Sequence, residues 1–128
     1  MAMVAAMARV LLLTDDIWVE NEVRAALTDP GTVVEVTSDP ETIVDAVSRH
    51  QPEVVVIDLQ VRWMGGMAVV RELRAAVENG HIPDVRMVLL LDRSADGFLA
   101  RRAGADAYVV KPFTAQQLRE AVSLPAGV

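Results

Sequence analysis

The chain has 128 residues, 52% of them hydrophobic and 23% charged; a chain of this size buries roughly two thirds of its unfolded surface, and the composition is globular rather than disordered. It contains no cysteine, which excludes structural disulfides, thiolate zinc sites and cysteine nucleophiles. The formal net charge of −6 argues against direct nucleic-acid binding, and no apolar run approaches the ~18 residues of a membrane span, so a cytoplasmic protein without a membrane partner is expected.

Met1–Ala8 lacks the basic start and long apolar stretch of a signal peptide. Arg9–Thr14 carries Val10, Leu11, Leu12 and Leu13 and predicts a buried first strand closed by Asp15 and Asp16. Trp18–Leu27 sets Val19, Val23, Ala26 and Leu27 on one helical face, with Trp18 expected to pack on this first helix. Asp29-Pro30-Gly31 breaks the chain, and the valines of Thr32–Thr37 predict a second strand. Asp39-Pro40 reads as the capped start of a second helix bearing Ile43, Val44 and Val47, which Pro52 stops.

Glu53–Leu59, with Val54, Val55, Val56 and Ile57, predicts the central strand, with Asp58 at its end. After a loop over Gln60–Gly66, Met67, Val70, Leu73 and Val77 define a third helix ended by Asn79-Gly80. Val85–Leu91 is a fourth strand closed by Asp92, a fourth helix follows from about Ala95 to Ala103, and Ala107–Val110 is a short fifth strand running into Lys111-Pro112. Thr114 and Gln117 have capping-box spacing for a last helix through about Ser123, leaving only Leu124–Val128 and no expected output domain in this chain. One domain over 1–128 is expected, an α/β fold with five strands in a parallel sheet covered by helices on both faces.

In such a sheet the functional crevice lies at the carboxyl ends of the strands. Asp15 and Asp16, Asp58, Asp92 and Lys111, the chain's only lysine beside eleven arginines, all fall there. The carboxylates of Asp15, Asp16 and Asp58 and the Lys111 ammonium sum to −2, a charge that a divalent cation balances; Mg2+ takes hard oxygen ligands and leaves positions for phosphate oxygens. A carboxylate beside such a cation and a lysine is suited to attack a phosphoryl group. His50 and His81 lack ligand spacing and are assigned to no metal.

From about Arg9 to Ser123 the chain resembles the receiver domain of bacterial two-component response regulators, the module that also stands alone in the chemotaxis response regulator. The matching pieces are Leu13-Thr14-Asp15-Asp16, Ile57-Asp58-Leu59, Gly66, and the run Gly104-Ala105-Asp106-Ala107-Tyr108-Val109-Val110-Lys111-Pro112-Phe113. The resemblance implies a flavodoxin-like doubly wound fold with strand order 2-1-3-4-5. It implies phosphorylation on Asp58, and Mg2+ held by Asp16, by Asp15, often through water, by Asp58 and by the backbone carbonyl of Gln60. It further implies Lys111 contacting the phosphoryl group, a cis Lys111-Pro112 bond, and Tyr108 as a switch aromatic that turns inward on activation. A sensor histidine kinase or phosphotransfer protein would be the donor. A protein partner would read the signal, with a homodimer through the fourth helix, fifth strand and fifth helix as a further partner. No enzyme turnover is implied beyond slow self-phosphorylation and self-dephosphorylation.

The chain departs from that pattern in two places. Val61-Arg62 stand where Met-Pro is usual, and the Ser or Thr that normally ends the fourth strand is missing. Either Asp92 or Leu89 takes that switch position, and Asp92 has the alternative role of capping the fourth helix with help from Ser94. Without the hydroxyl, the alternative function is a pseudo-receiver, an interaction module that works without phosphorylation. An Asp-nucleophile phosphatase wants a second Asp where Gln60 stands, and a flavodoxin-like cofactor binder wants a phosphate loop where Thr14-Asp15-Asp16 stands.

Overall fold

Runs of Val, Leu and Ile without polar interruption stay in register only where both faces are covered, and that is the setting the computed structural model gives them. It describes residues 8–60 and 65–123; the expectations for residues 1–7, for Val61-Arg62 and for Leu124–Val128 lie outside the described residues. Strands β1 (Ala8–Leu13), β2 (Thr32–Thr37), β3 (Val54–Asp58), β4 (Arg86–Leu91) and β5 (Ala107–Val110) form one parallel sheet in the order β2-β1-β3-β4-β5. Helices α1 (Ile17–Ala26), α2 (Ile43–His50), α3 (Gly66–Glu78), α4 (Gly97–Ala103) and α5 (Ala115–Val122) alternate with the strands.

The period-2 alternation of the strands sorts their side chains into two cores. Leu11, Leu13, Val55, Ile57, Met87, Leu89 and Leu91 pack with α2, α3 and α4. Val10, Leu12, Val54, Val56, Val88, Leu90 and Val109 pack with α1 and α5. Among the described residues Asp58 is the one charged residue buried in this apolar frame, set by β3 at the carboxyl edge of the sheet.

Local chemistry fixes most element ends. Asp16 caps α1 by accepting from the Trp18 amide at 2.8 Å. Thr114 and Gln117 close a reciprocal capping box on α5, with bonds of 3.1 and 2.9 Å. Four expectations need correction. Asp39 caps a 3-10 turn, Pro40–Thr42, and α2 itself starts at Ile43. The chain leaves α2 through Gln51, in the left-handed region at φ 50°, before Pro52 is reached. The buried face of α3 runs through Val69, Val70, Leu73 and Ala76, rotated from the predicted Met67 and Val77, which are only partly buried. Trp18 does not pack on α1: it is 75% exposed.

Candidate functional site

The ends of four parallel strands, β1, β3, β4 and β5, deliver the expected residues to one edge, and the hydrogen bonds there are specific. Asp58 is 1% exposed. Its Oδ1 accepts from Lys111 Nζ at 2.6 Å and from the backbone N–H of Gln60 at 3.1 Å. Its Oδ2 accepts from the hydroxyl of Thr14 at 2.7 Å. Lys111 follows β5 through its own backbone bond to Leu91 and precedes a cis peptide bond to Pro112, as the resemblance implied.

Asp92 lies beside the same lysine. One carboxylate oxygen is 3.5 Å from Lys111 Nζ, and the other accepts from the Gln60 side-chain amide at 2.5 Å. The alternative capping role of Asp92 is not seen. The turn before α4 carries no side-chain cap, and the position flanking it is Arg93. Leu89, the other candidate for the switch position, is fully buried against α3, where it offers the pocket nothing polar. Asp92 is therefore the side chain through which the end of β4 meets the Lys111 ammonium.

The acids of the β1–α1 loop are less closely joined. Asp16 approaches Asp58 through Thr14, whose hydroxyl accepts from the Asp16 N–H at 3.1 Å. Its carboxylate is committed to the cap of α1, and Asp15 is exposed on the same loop. Among the described residues no three His, Cys, Asp or Glu side chains gather closely enough to hold a metal as they stand. The donor chemistry nevertheless fits a hard divalent cation: the carboxylates of Asp15, Asp16 and Asp58 and the carbonyl of Gln60 are all oxygen ligands. The cap uses one Asp16 carboxylate oxygen, Oδ1.

Tyr108 stands apart from this cluster, three residues before Lys111. Its ring lies over Gly97 at the start of α4, so closely that any Cβ at Gly97 would overlap the ring. The Arg101 guanidinium sits 5.6 Å from the ring centre, a cation–π distance. Gly66 is explained by another close approach: a Cβ there would come to 3.0 Å from the Asp58 carbonyl and the Leu89 side chain. Asp106, in the motif that carries the resemblance, has a structural task. It accepts from the Met87 amide at 2.8 Å and from Arg74 at 3.1 Å, while Arg74 also donates to the Gly104 carbonyl.

Two participants are not evident from the sequence. Thr14 belongs to a matching run that assigns it no role, although a hydroxyl between four apolar residues and two acids is a usable signal. The Gln60 side chain is hidden behind the role of its backbone carbonyl.

The family model described as the response regulator receiver domain matches residues 10–123. This chain belongs to that family. The response regulator MprA of Mycobacterium sp. (strain KMS) is 29% identical over 110 residues, covering 86% of this chain and 46% of that protein; the chain thus spans about half the length of the relatives it matches. The receiver domain of the sensor histidine kinase PA1611 from Pseudomonas aeruginosa, described with a magnesium ion coordinated in its active-site cleft, is 25% identical with a TM-score of 0.76, covering 91% of this chain and 95% of that one. The chemotaxis response regulator CheY4 of Vibrio cholerae shares the fold, with a TM-score of 0.76 at 22% identity and coverage of 91% and 99%. Among the described residues no helix is long and apolar enough to cross a membrane.

Proposed function

We propose that this receiver domain accepts a phosphoryl group on Asp58 with the help of Mg2+ and signals by binding a protein partner. The observation that carries the reading is the pair formed by Asp58, 1% exposed at the end of a central strand, and Lys111 at 2.6 Å. A carboxylate oxygen of Asp58 forms the bond to phosphorus as the bond to the donor's leaving group breaks, and the leaving group keeps that electron pair. Lys111 is placed to follow the charge from the carboxylate to the phosphoryl oxygens. Bound Mg2+ would supply charge neutralisation between the acids and the incoming phosphate. Asp15, Asp16, Asp58 and the Gln60 carbonyl are the residues that would hold it, a reading supported by the magnesium-bound relative. The donor is a histidine kinase or a phosphotransfer protein, with no turnover beyond slow self-phosphorylation and self-dephosphorylation.

The test is a titration of Mg2+ with beryllofluoride followed by amide NMR. Shifts centred on Asp16, Asp58, Gln60 and Lys111, lost in Asp58→Asn, are expected. Saturating additions that leave those amides unmoved in the parent chain would refute the reading.

One observation favours the second reading, a pseudo-receiver that works without phosphorylation. Asp92 adds a fourth carboxylate to the site, 3.5 Å from Lys111 Nζ. With Asp15, Asp16, Asp58 and Lys111 the local sum is −3, which a divalent cation leaves at −1. Repulsion of an incoming dianion at close range is on the order of a few kcal/mol at intermediate effective dielectric. Weak or short-lived phosphorylation is the consequence.

The output surface we assign to α4, β5 and α5. Phe98 and Leu99 are 63% and 48% exposed there, beside Tyr108, Arg101 and Arg102, and a second copy of this chain or a downstream protein would cover them.

A further inference from the structure

Among the described residues only two polar side chains are buried in full, Thr14 at 3% and Asp58 at 1% exposure, and they are bonded to each other. The hydroxyl of Thr14 has one proton and uses it on Asp58 Oδ2 at 2.7 Å. One of its lone pairs accepts the N–H of Asp16 at 3.1 Å. Asp58 Oδ1 is held independently, by Lys111 and the Gln60 N–H. Among the described residues Thr14 is thus the single hydrogen-bonded link between the Asp58 carboxylate and the loop that carries Asp15 and Asp16. Its own backbone is anchored to the end of β2, since its N–H donates to the Thr37 carbonyl at 3.0 Å.

We infer that Thr14 is a positioning residue of the acceptor site: its hydroxyl holds the Asp58 carboxylate and the Asp16 backbone at a fixed separation, so that the two acids expected to share a cation are set before any ion arrives. The inference rests on the reading of Asp16 and Asp58 proposed above. Its physical basis is general. A carboxylate ligand that is itself hydrogen-bonded loses less freedom on binding, and removing such outer partners weakens metal affinity on the order of 10–100-fold. The Asp92 end of the site lacks the usual hydroxyl, whereas the β1 end has one, so here the hydroxyl contact to the acceptor comes from the opposite neighbour of β3.

The experiment uses the full chain in a Trp63→Phe background, which leaves Trp18, two residues after Asp16, as the only tryptophan. Mg2+ alone is titrated into the parent, Thr14→Val and Thr14→Ser, read by Trp18 fluorescence, and exchange of the Asp16 amide is measured by NMR in the metal-free proteins. Thr14→Val keeps the branched shape and removes the hydroxyl. It is expected to bind Mg2+ about tenfold more weakly and to exchange the Asp16 amide faster, while Thr14→Ser restores both. A folded Thr14→Val protein with parental Mg2+ affinity overturns the inference, because a hydroxyl that serves stability alone would lower the melting temperature and leave that affinity unchanged. Equal protection of the Asp16 amide in parent and Thr14→Val also overturns it. If the parent itself gives no response to Mg2+, the proposed metal site fails and the amide measurement alone decides on Thr14. Should Thr14→Val not fold, Thr14→Ala carries the same comparison.

Discussion

Lys111 stands between two carboxylates of unequal burial, Asp58 at 1% and Asp92 at 38% side-chain exposure. The two contacts have different weights. Removing the lysine leaves a buried carboxylate without its counter-ion, a change that costs about 3–5 kcal/mol in comparable pairs. Removing Asp92 breaks a contact that solvent screens, worth about 1 kcal/mol or less. Lys111→Met should therefore lower the denaturation midpoint sharply, and Asp92→Ala should barely move it; equal effects in urea titrations would contradict the assignment. For phosphorylation the order of interest reverses. Asp92→Thr removes the competing charge and supplies a hydroxyl. Each ~1.4 kcal/mol of repulsion relieved is worth about tenfold in a rate, so the yield or lifetime of phosphorylated protein should rise at least several-fold. A change in thermal stability with no change in phosphorylation would leave Asp92 no part in the pocket chemistry. Asp58, Asp92 and Lys111 are legible as a group in the sequence because each ends a strand of a parallel sheet. Which of Asp92 and Leu89 takes the switch position is not, because counting from the strand end and counting back from Lys111 give different residues, and a side-chain contact needs the register. Leu91 pairs with Val110, which sets the next residues, Asp92 and Lys111, side by side.

Helix α4 shows how one small residue sets the seat of another. Ala is favoured over Gly inside a helix by about 1 kcal/mol, yet Gly97 faces the Tyr108 ring with no room for a Cβ. Gly97→Ala should destabilise the protein, since overpacking costs about 1–3 kcal/mol, and should displace the ring toward solvent. In a Tyr108→Ala background the same substitution should stabilise it through propensity. Thermal denaturation of the four proteins tests this; an equal effect of Gly97→Ala in both backgrounds would show that the ring does not depend on the notch. The sequence marks Tyr108 but offers no reason for Gly97, because the contact joins residues eleven positions apart on different elements. The helices themselves are readable from caps and periodicity. The rotated face of α3 and the 3-10 turn before α2 are not, since neighbouring helices choose among apolar positions that a 100° pattern leaves nearly equivalent. Trp18 misleads for a related reason: an aromatic beside an amphipathic stripe reads as core, while it lies outside the buried Val19, Val23 and Ala26 face.

At the scale of the molecule, two apolar cores hold a sheet whose carboxyl edge gathers the charge. Strand order follows from the family resemblance rather than from the strands, because five buried runs carry no label of their neighbours. The dimer proposed above would bury the exposed Phe98 and Leu99 of α4. Sedimentation velocity with Mg2+ and beryllofluoride should show a dimer that Phe98→Ser combined with Leu99→Ser abolishes. A monomer throughout would exclude the dimer and leave a different protein as the partner.

The most direct measurement is the intact mass of the chain after incubation with acetyl phosphate and Mg2+, for the parent and for Asp58→Asn. One added phosphoryl group is expected on the parent, labile as an acyl phosphate, and none on Asp58→Asn. An unmodified parent under conditions that phosphorylate the Asp92→Thr protein would assign the chain to the pseudo-receiver reading; equal modification of parent and Asp58→Asn would contradict the claim that Asp58 is the acceptor.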